Sequence, residues 1–84
     1  MTIERLGTSM TTKAILRKRL STAIGKELSN FDFMWFFGRF CEVYGLPAKV
    51  RKAKQIDEET LMAFSEYAGY DLRFPIPLPL MAKK

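Results

Sequence analysis

Hydrophobic and polar positions along the chain fall into blocks with different periods, and the densest apolar block organises the others. Phe31-Asp32-Phe33-Met34-Trp35-Phe36-Phe37-Gly38-Arg39-Phe40-Cys41-Glu42-Val43-Tyr44 carries five of the seven phenylalanines and the only tryptophan. At about 100° per residue, Phe33, Met34, Phe36, Phe37, Gly38, Phe40, Cys41, Val43 and Tyr44 fill more than half of a helix circumference, and Asp32, Arg39 and Glu42 share the narrow remainder. A helix with so wide an apolar arc has to be covered on most sides, so this segment is expected to be the central helix, with Phe33, Phe36, Phe37 and Phe40 in the core. The run is shorter than the roughly twenty residues a bilayer requires and contains three charges, which argues against a transmembrane segment.

Trp35 departs from the pattern. It falls in the polar sector, three residues after Asp32 and four before Arg39, so its ring is expected beside a guanidinium rather than among the phenylalanines. Two consequences are open: a flanking segment covers it, or it is an exposed anchor for a partner.

Residues 1–9 show no periodicity and read as a flexible N-terminus. Ser9, Thr11 and Thr12 offer caps for a first helix over 13–28, whose Leu16, Leu20, Ala23, Ile24 and Leu28 form one stripe, with Lys18, Arg19, Thr22 and Lys26 opposite and facing water. Ser29-Asn30 separates this helix from the central one, and Gly45 and Pro47 end the latter. In Lys49-Val50-Arg51-Lys52-Ala53-Lys54 the cations are interrupted only by Val50 and Ala53, a pattern that fits either a short helix or an exposed loop. Asp57 caps a further helix ending at Gly69, with Leu61, Phe64, Tyr67 and Ala68 inward and Glu58 and Glu59 favourably placed at its positive end.

After Asp71, proline alternates with apolar residues. In an extended chain Phe74, Ile76, Leu78 and Leu80 point one way and Pro75, Pro77 and Pro79 the other, which predicts a strap lying across the helices or, failing that, an arm that docks on a partner. The predicted fold is all-α: three helices, or four if the basic segment is helical, in a domain over 10–71, with an extended Pro-rich C-terminal segment over 72–84.

Composition narrows the chemistry. The chain contains no histidine and a single cysteine, Cys41, which lies on the apolar arc. An internal disulfide is therefore impossible, and the usual zinc ligand sets, the Cys-His and Ser-His nucleophile pairs and the commonest general base are missing. Gly25-Lys26 superficially suggests a phosphate loop, but Leu20 stands where the first glycine belongs and Glu27 where Ser or Thr belongs. We therefore expect a non-enzyme with no metal and no cofactor. A buried thiol and the lack of an apolar leader suggest a cytoplasmic protein.

The formal net charge of +5 is unevenly distributed. Residues 1–30 hold six cations against two anions, residues 46–55 hold four cations and no anion, and residues 56–71 hold five anions and no cation. Such segregation supports two functional expectations. The first is a small adaptor, inhibitor or assembly subunit that binds another protein, or self-associates, through Trp35, Arg39 and Met62. The alternative is a nucleic-acid-binding or nucleic-acid-associated regulator that uses Lys18, Arg19, Lys26, Lys49, Arg51, Lys52 and Lys54 against phosphate.

Overall fold

The computed structural model describes residues 10–80, so the expected flexibility of 1–9 and the last residues of the tail lie outside the described residues. In chain order the elements are β1 (Met10–Thr12), α1 (Lys13–Ile24), α2 (Asn30–Tyr44), α3 (Ala48–Lys52), β2 (Gln55–Asp57), α4 (Glu58–Ala68), β3 (Tyr70–Asp71) and β4 (Leu78–Pro79). The protein is mainly helical, as expected, and the basic segment contributes the fourth helix. The two small antiparallel sheets were not anticipated. β1 pairs with β2, Thr11 opposite Ile56, and β3 pairs with β4, Asp71 opposite Leu78. Strands of two or three residues are too short to show an alternating pattern, which explains their absence from the sequence reading.

Capping residues set the helix boundaries. Thr12, Ser29 and Asp57 accept hydrogen bonds from the backbone N–H groups of Ile15, Asp32 and Thr60, satisfying donors that have no partner within the first turn. For Asp57, hydrogen bonding from the Thr60 side chain and then from the Thr60 N–H favours the ionised form and holds its pKa below the ordinary aspartate value. α1 is one turn shorter than expected. Gly25 takes φ +76°, a left-handed conformation that favours glycine, and its N–H closes onto Ser21 and Thr22 carbonyls. Leu28, expected inside the helix, is instead tied back to it. Its N–H donates to Ser21 Oγ (3.0 Å), and its carbonyl accepts from Arg17 Nη1 (2.9 Å).

The core gathers Leu16 and Leu20 of α1, Phe33, Phe37, Phe40 and Cys41 of α2, Ile56, Leu61, Phe64 and Leu72. Phe36 is partly buried and packs against this cluster. Phe64 of α4 is the aromatic hub, its ring lying 5.0–6.0 Å from those of Phe33, Phe36, Phe37 and Phe40, with T-shaped contacts to Phe33, Phe36 and Phe40. The central helix is thus covered over an arc that holds Phe33, Phe37, Gly38, Phe40 and Cys41, with Phe36 partly buried at its edge. Phe31, Met34, Trp35, Val43 and Tyr44 remain exposed, contrary to the expectation of cover on most sides.

The tail also departs from its predicted course. Leu72 and Arg73 form a turn, the chain bends through 74–76, and Leu78–Pro79 returns to pair with Tyr70–Asp71. Phe74, Ile76, Leu78 and Leu80, which the strap would bury, are all exposed. The segment's apolar anchor is Leu72, fully buried, with its N–H donating to Ser65 Oγ (3.0 Å) and its carbonyl accepting from Arg19 Nη1 (2.9 Å). Among the described residues no helix is long and apolar enough to cross a membrane.

Candidate binding surface on the outer face of α2

Phe31, Met34 and Trp35 stand three and four residues apart, so they share one side of α2. They are 76%, 36% and 63% exposed, respectively. No flanking segment among the described residues covers Trp35. Three adjacent large apolar side chains open to solvent are more than the scattered exposed hydrophobics of an ordinary surface.

Charge borders this apolar face. Arg39, one turn beyond Trp35, donates from Nη1 to Glu42 Oε1 (3.0 Å). It does not stack on the indole: among the described residues the cation–ring contacts are Lys13 over Phe37 and Arg73 over Phe74. α3 approaches α2 at Gly38, where an added Cβ would meet Arg51 Nη2 at 2.8 Å. Glycine thus lets the guanidinium lie along the helix, and the same Nη2 sits 3.8 Å from Glu42 Oε2. Glu42 therefore faces two arginines and offsets one of their two charges. Lys52 and Lys54 are different. Both are exposed, neither has a carboxylate within salt-bridge distance among the described residues, and they border a groove of about 350 Å³ that Ala14, Met34 and Ala53 also line.

Lys13 holds α3 against α2 from the buried side. It is only 8% exposed, and its backbone N–H donates to Lys54 O (2.8 Å). Its Nζ donates to the carbonyls of Val50 (3.0 Å) and Arg51 (2.6 Å) while lying 4.2 Å from the Phe37 ring centroid. One ammonium thereby satisfies two carbonyls near the C-terminus of a five-residue helix, where the dipole favours a cation. Burial lowers the Lys13 pKa below the ordinary lysine value, with Cys41 acting in the opposite direction. Burial likewise raises the Cys41 pKa, against Lys13 and Arg51, so the thiol stays protonated at neutral pH and packs as a small hydrophobe.

Replacing Lys13 with methionine should keep the apolar stem but strip both carbonyls of their donor, at a cost of about 1–3 kcal/mol. Denaturant unfolding measures the loss, and amide exchange should quicken first in α3. Unchanged stability and exchange would mean that those carbonyls do not need the ammonium.

The remaining candidate residues are dispersed. Lys18 and Arg19 line a separate depression with Ile15, Thr22 and Pro75, and Arg19 is engaged with the Leu72 carbonyl. Lys26 is exposed just beyond the end of α1. Lys49 borders a third depression with Val50, Ile56 and Asp57. Of the seven cations assigned to nucleic acid, Arg51, Lys52 and Lys54 adjoin the α2 face; the others do not line it. Met62 is exposed on α4 in a depression with Glu66, Asp71, Arg73 and Leu80 that contains no α2 residue, so it does not join Trp35 and Arg39 in one site.

Sequence reasoning missed Phe31 and Met34 as surface residues and Lys13 as a buried one. Phe31 was discoverable from its four-residue spacing to Trp35. Among the described residues no three His, Cys, Asp or Glu side chains are placed to hold a metal ion, and no buried side-chain nitrogen or oxygen lacks a hydrogen-bond partner. No family model matches the chain, and no curated protein or solved structure matches it either.

Proposed function

We propose that this chain is a non-enzymatic binding protein, an adaptor, inhibitor or assembly subunit, that engages another protein through the outer face of α2. The observation that carries this reading is the joint exposure of Trp35 and Phe31, one helical turn apart. Solvated aromatic surface is costly to maintain, and its burial against a partner supplies the kind of anchor that dominates interfaces. Arg39 sits at the rim, where arginine is common. The lone buried thiol suits a reducing compartment such as the cytoplasm.

Nucleic acid remains the second reading because Lys52 and Lys54 border a groove lined by Met34, which shares its side of α2 with the exposed Phe31 and Trp35, and single strands bind where bases stack beside cations. It is the weaker one: backbone tracking needs a continuous basic groove, whereas Lys18, Arg19 and Lys49 line other depressions.

Trp35→Ala separates the two. Because the indole contributes little to the core, thermal unfolding should be almost unchanged. Affinity for a protein recovered on the immobilised wild-type chain should fall by about 2 kcal/mol, roughly thirty-fold. Equal affinity of the variant, or tight, salt-steep binding of the wild-type chain to DNA or RNA, would refute the protein-binding reading.

A further inference from the structure

We infer that the partner presents an acidic segment with an apolar anchor, the anchor entering the groove among Ala14, Met34 and Ala53 and the carboxylates meeting Lys52 and Lys54. This rests on the protein-binding reading above and specifies the partner's chemistry. Three observations support it. The groove is continuous with the exposed aromatic face, because Met34 belongs to both. Its small alanine walls leave about 350 Å³ between the start of α1, the second turn of α2 and the end of α3, within the range of volumes that take a compact apolar group.

The third observation is the distribution of charge at the rim. Arg39 and Arg51 already face Glu42, whereas Lys52 and Lys54 have no ion-pair partner among the described residues. Two uncompensated positive charges thus sit side by side on one edge of an apolar groove, whereas Lys18, Arg19 and Lys49, also without a carboxylate partner among the described residues, line other depressions. An all-polar anion would leave Met34, Phe31 and Trp35 solvated, and an uncharged apolar segment would leave the two ammonium groups facing nothing. A segment that alternates carboxylates with leucine, isoleucine or an aromatic residue meets both needs. The anions of α2 do not cancel the pattern: Asp32 lies in the first turn on the side away from Met34, and Glu42 is occupied.

Selection from a displayed library of random peptides at physiological salt tests this, because such a library offers acidic, basic, polar and apolar segments to the groove alike. Four folded full-length baits are compared: wild type, Trp35→Ala, the double variant Lys52→Glu/Lys54→Glu, and the control Lys18→Glu/Lys26→Glu. The control changes net charge by the same amount on and just beyond α1. The wild-type pool should be enriched in sequences that are both acidic and apolar. Binding of the winning peptides should fall at least about ten-fold with the 52/54 variant and little with the control.

An enriched pool that depends on Trp35 but lacks acidic bias, or responds equally to both charge reversals, overturns the inference and leaves the protein-binding reading standing. A pool that is acidic but not apolar also overturns it. Absence of any Trp35-dependent enrichment, or tighter binding of a short oligothymidylate than of every selected peptide, overturns both. Competition of the peptides with a second copy of the chain would assign the groove to self-association and reject the inference.

Discussion

Phe37→Ala should destabilise the protein by about 3–5 kcal/mol and leave a domain of this size largely unfolded at ambient temperature. Phe37 is fully buried, and its ring meets those of Phe33 (5.9 Å), Phe40 (5.3 Å) and Phe64 (5.3 Å), so truncation removes contacts on several sides at once. It also removes the ring beneath the Lys13 ammonium, loosening the anchor of α3. The cavity would be hard to close, because neighbouring rings from α2 and α4 already occupy packed positions. Circular dichroism melts of the variant and of Phe37→Leu would grade the effect, with leucine losing less. A Phe37→Ala melt superimposable on wild type would show that α2 does not pack through this face.

Leu72→Ala should cost about 2–5 kcal/mol and lower the melting temperature by roughly 10 °C or more, whereas Ile76→Ala should change stability by only a few tenths of a kcal/mol. Leu72 is fully buried, and Ile76 is 72% exposed. The backbone reinforces the contrast, since Leu72 is held on both sides by Ser65 Oγ and Arg19 Nη1. Losing the side chain would weaken the attachment of the whole tail to α1 and α4. Comparable effects at the two positions would contradict this placement and favour a tail that packs along its length.

Much of the fold was legible because helices of eleven to fifteen residues carry their own signals. Ser29, Asp57, Gly45 and Gly69 mark their ends, and the Phe33-Phe37-Phe40 and Leu61-Phe64 spacings mark their inner faces. Gly25 carried the same stop signal as Gly45, yet Leu28 continued the apolar stripe and made α1 look longer. The strands were illegible because β1 and β2 pair residues more than forty positions apart, and local pattern does not encode such contacts.

The tail misled for a related reason. Alternation with proline identifies which side chains share a face, but not whether the face turns inward, and Leu72 lies just before the alternation begins. At the candidate site, Trp35 stood out because it broke an apolar arc. The role of Lys13 could not be inferred, because a lysine opening an amphipathic helix looks the same whether its ammonium meets water or the carbonyls of Val50 and Arg51. Met62 and Trp35 were grouped by type, and the fold placed them in different parts of the surface.

The most direct test of the α2 outer face is site-specific photocross-linking from position 35, with position 26 as a control, in the cells that make the protein. A discrete protein adduct from position 35 that is missing from position 26 is the predicted result. Adducts to nucleic acid, or equal yields from the two positions, would contradict the assignment of Trp35 to a protein interface.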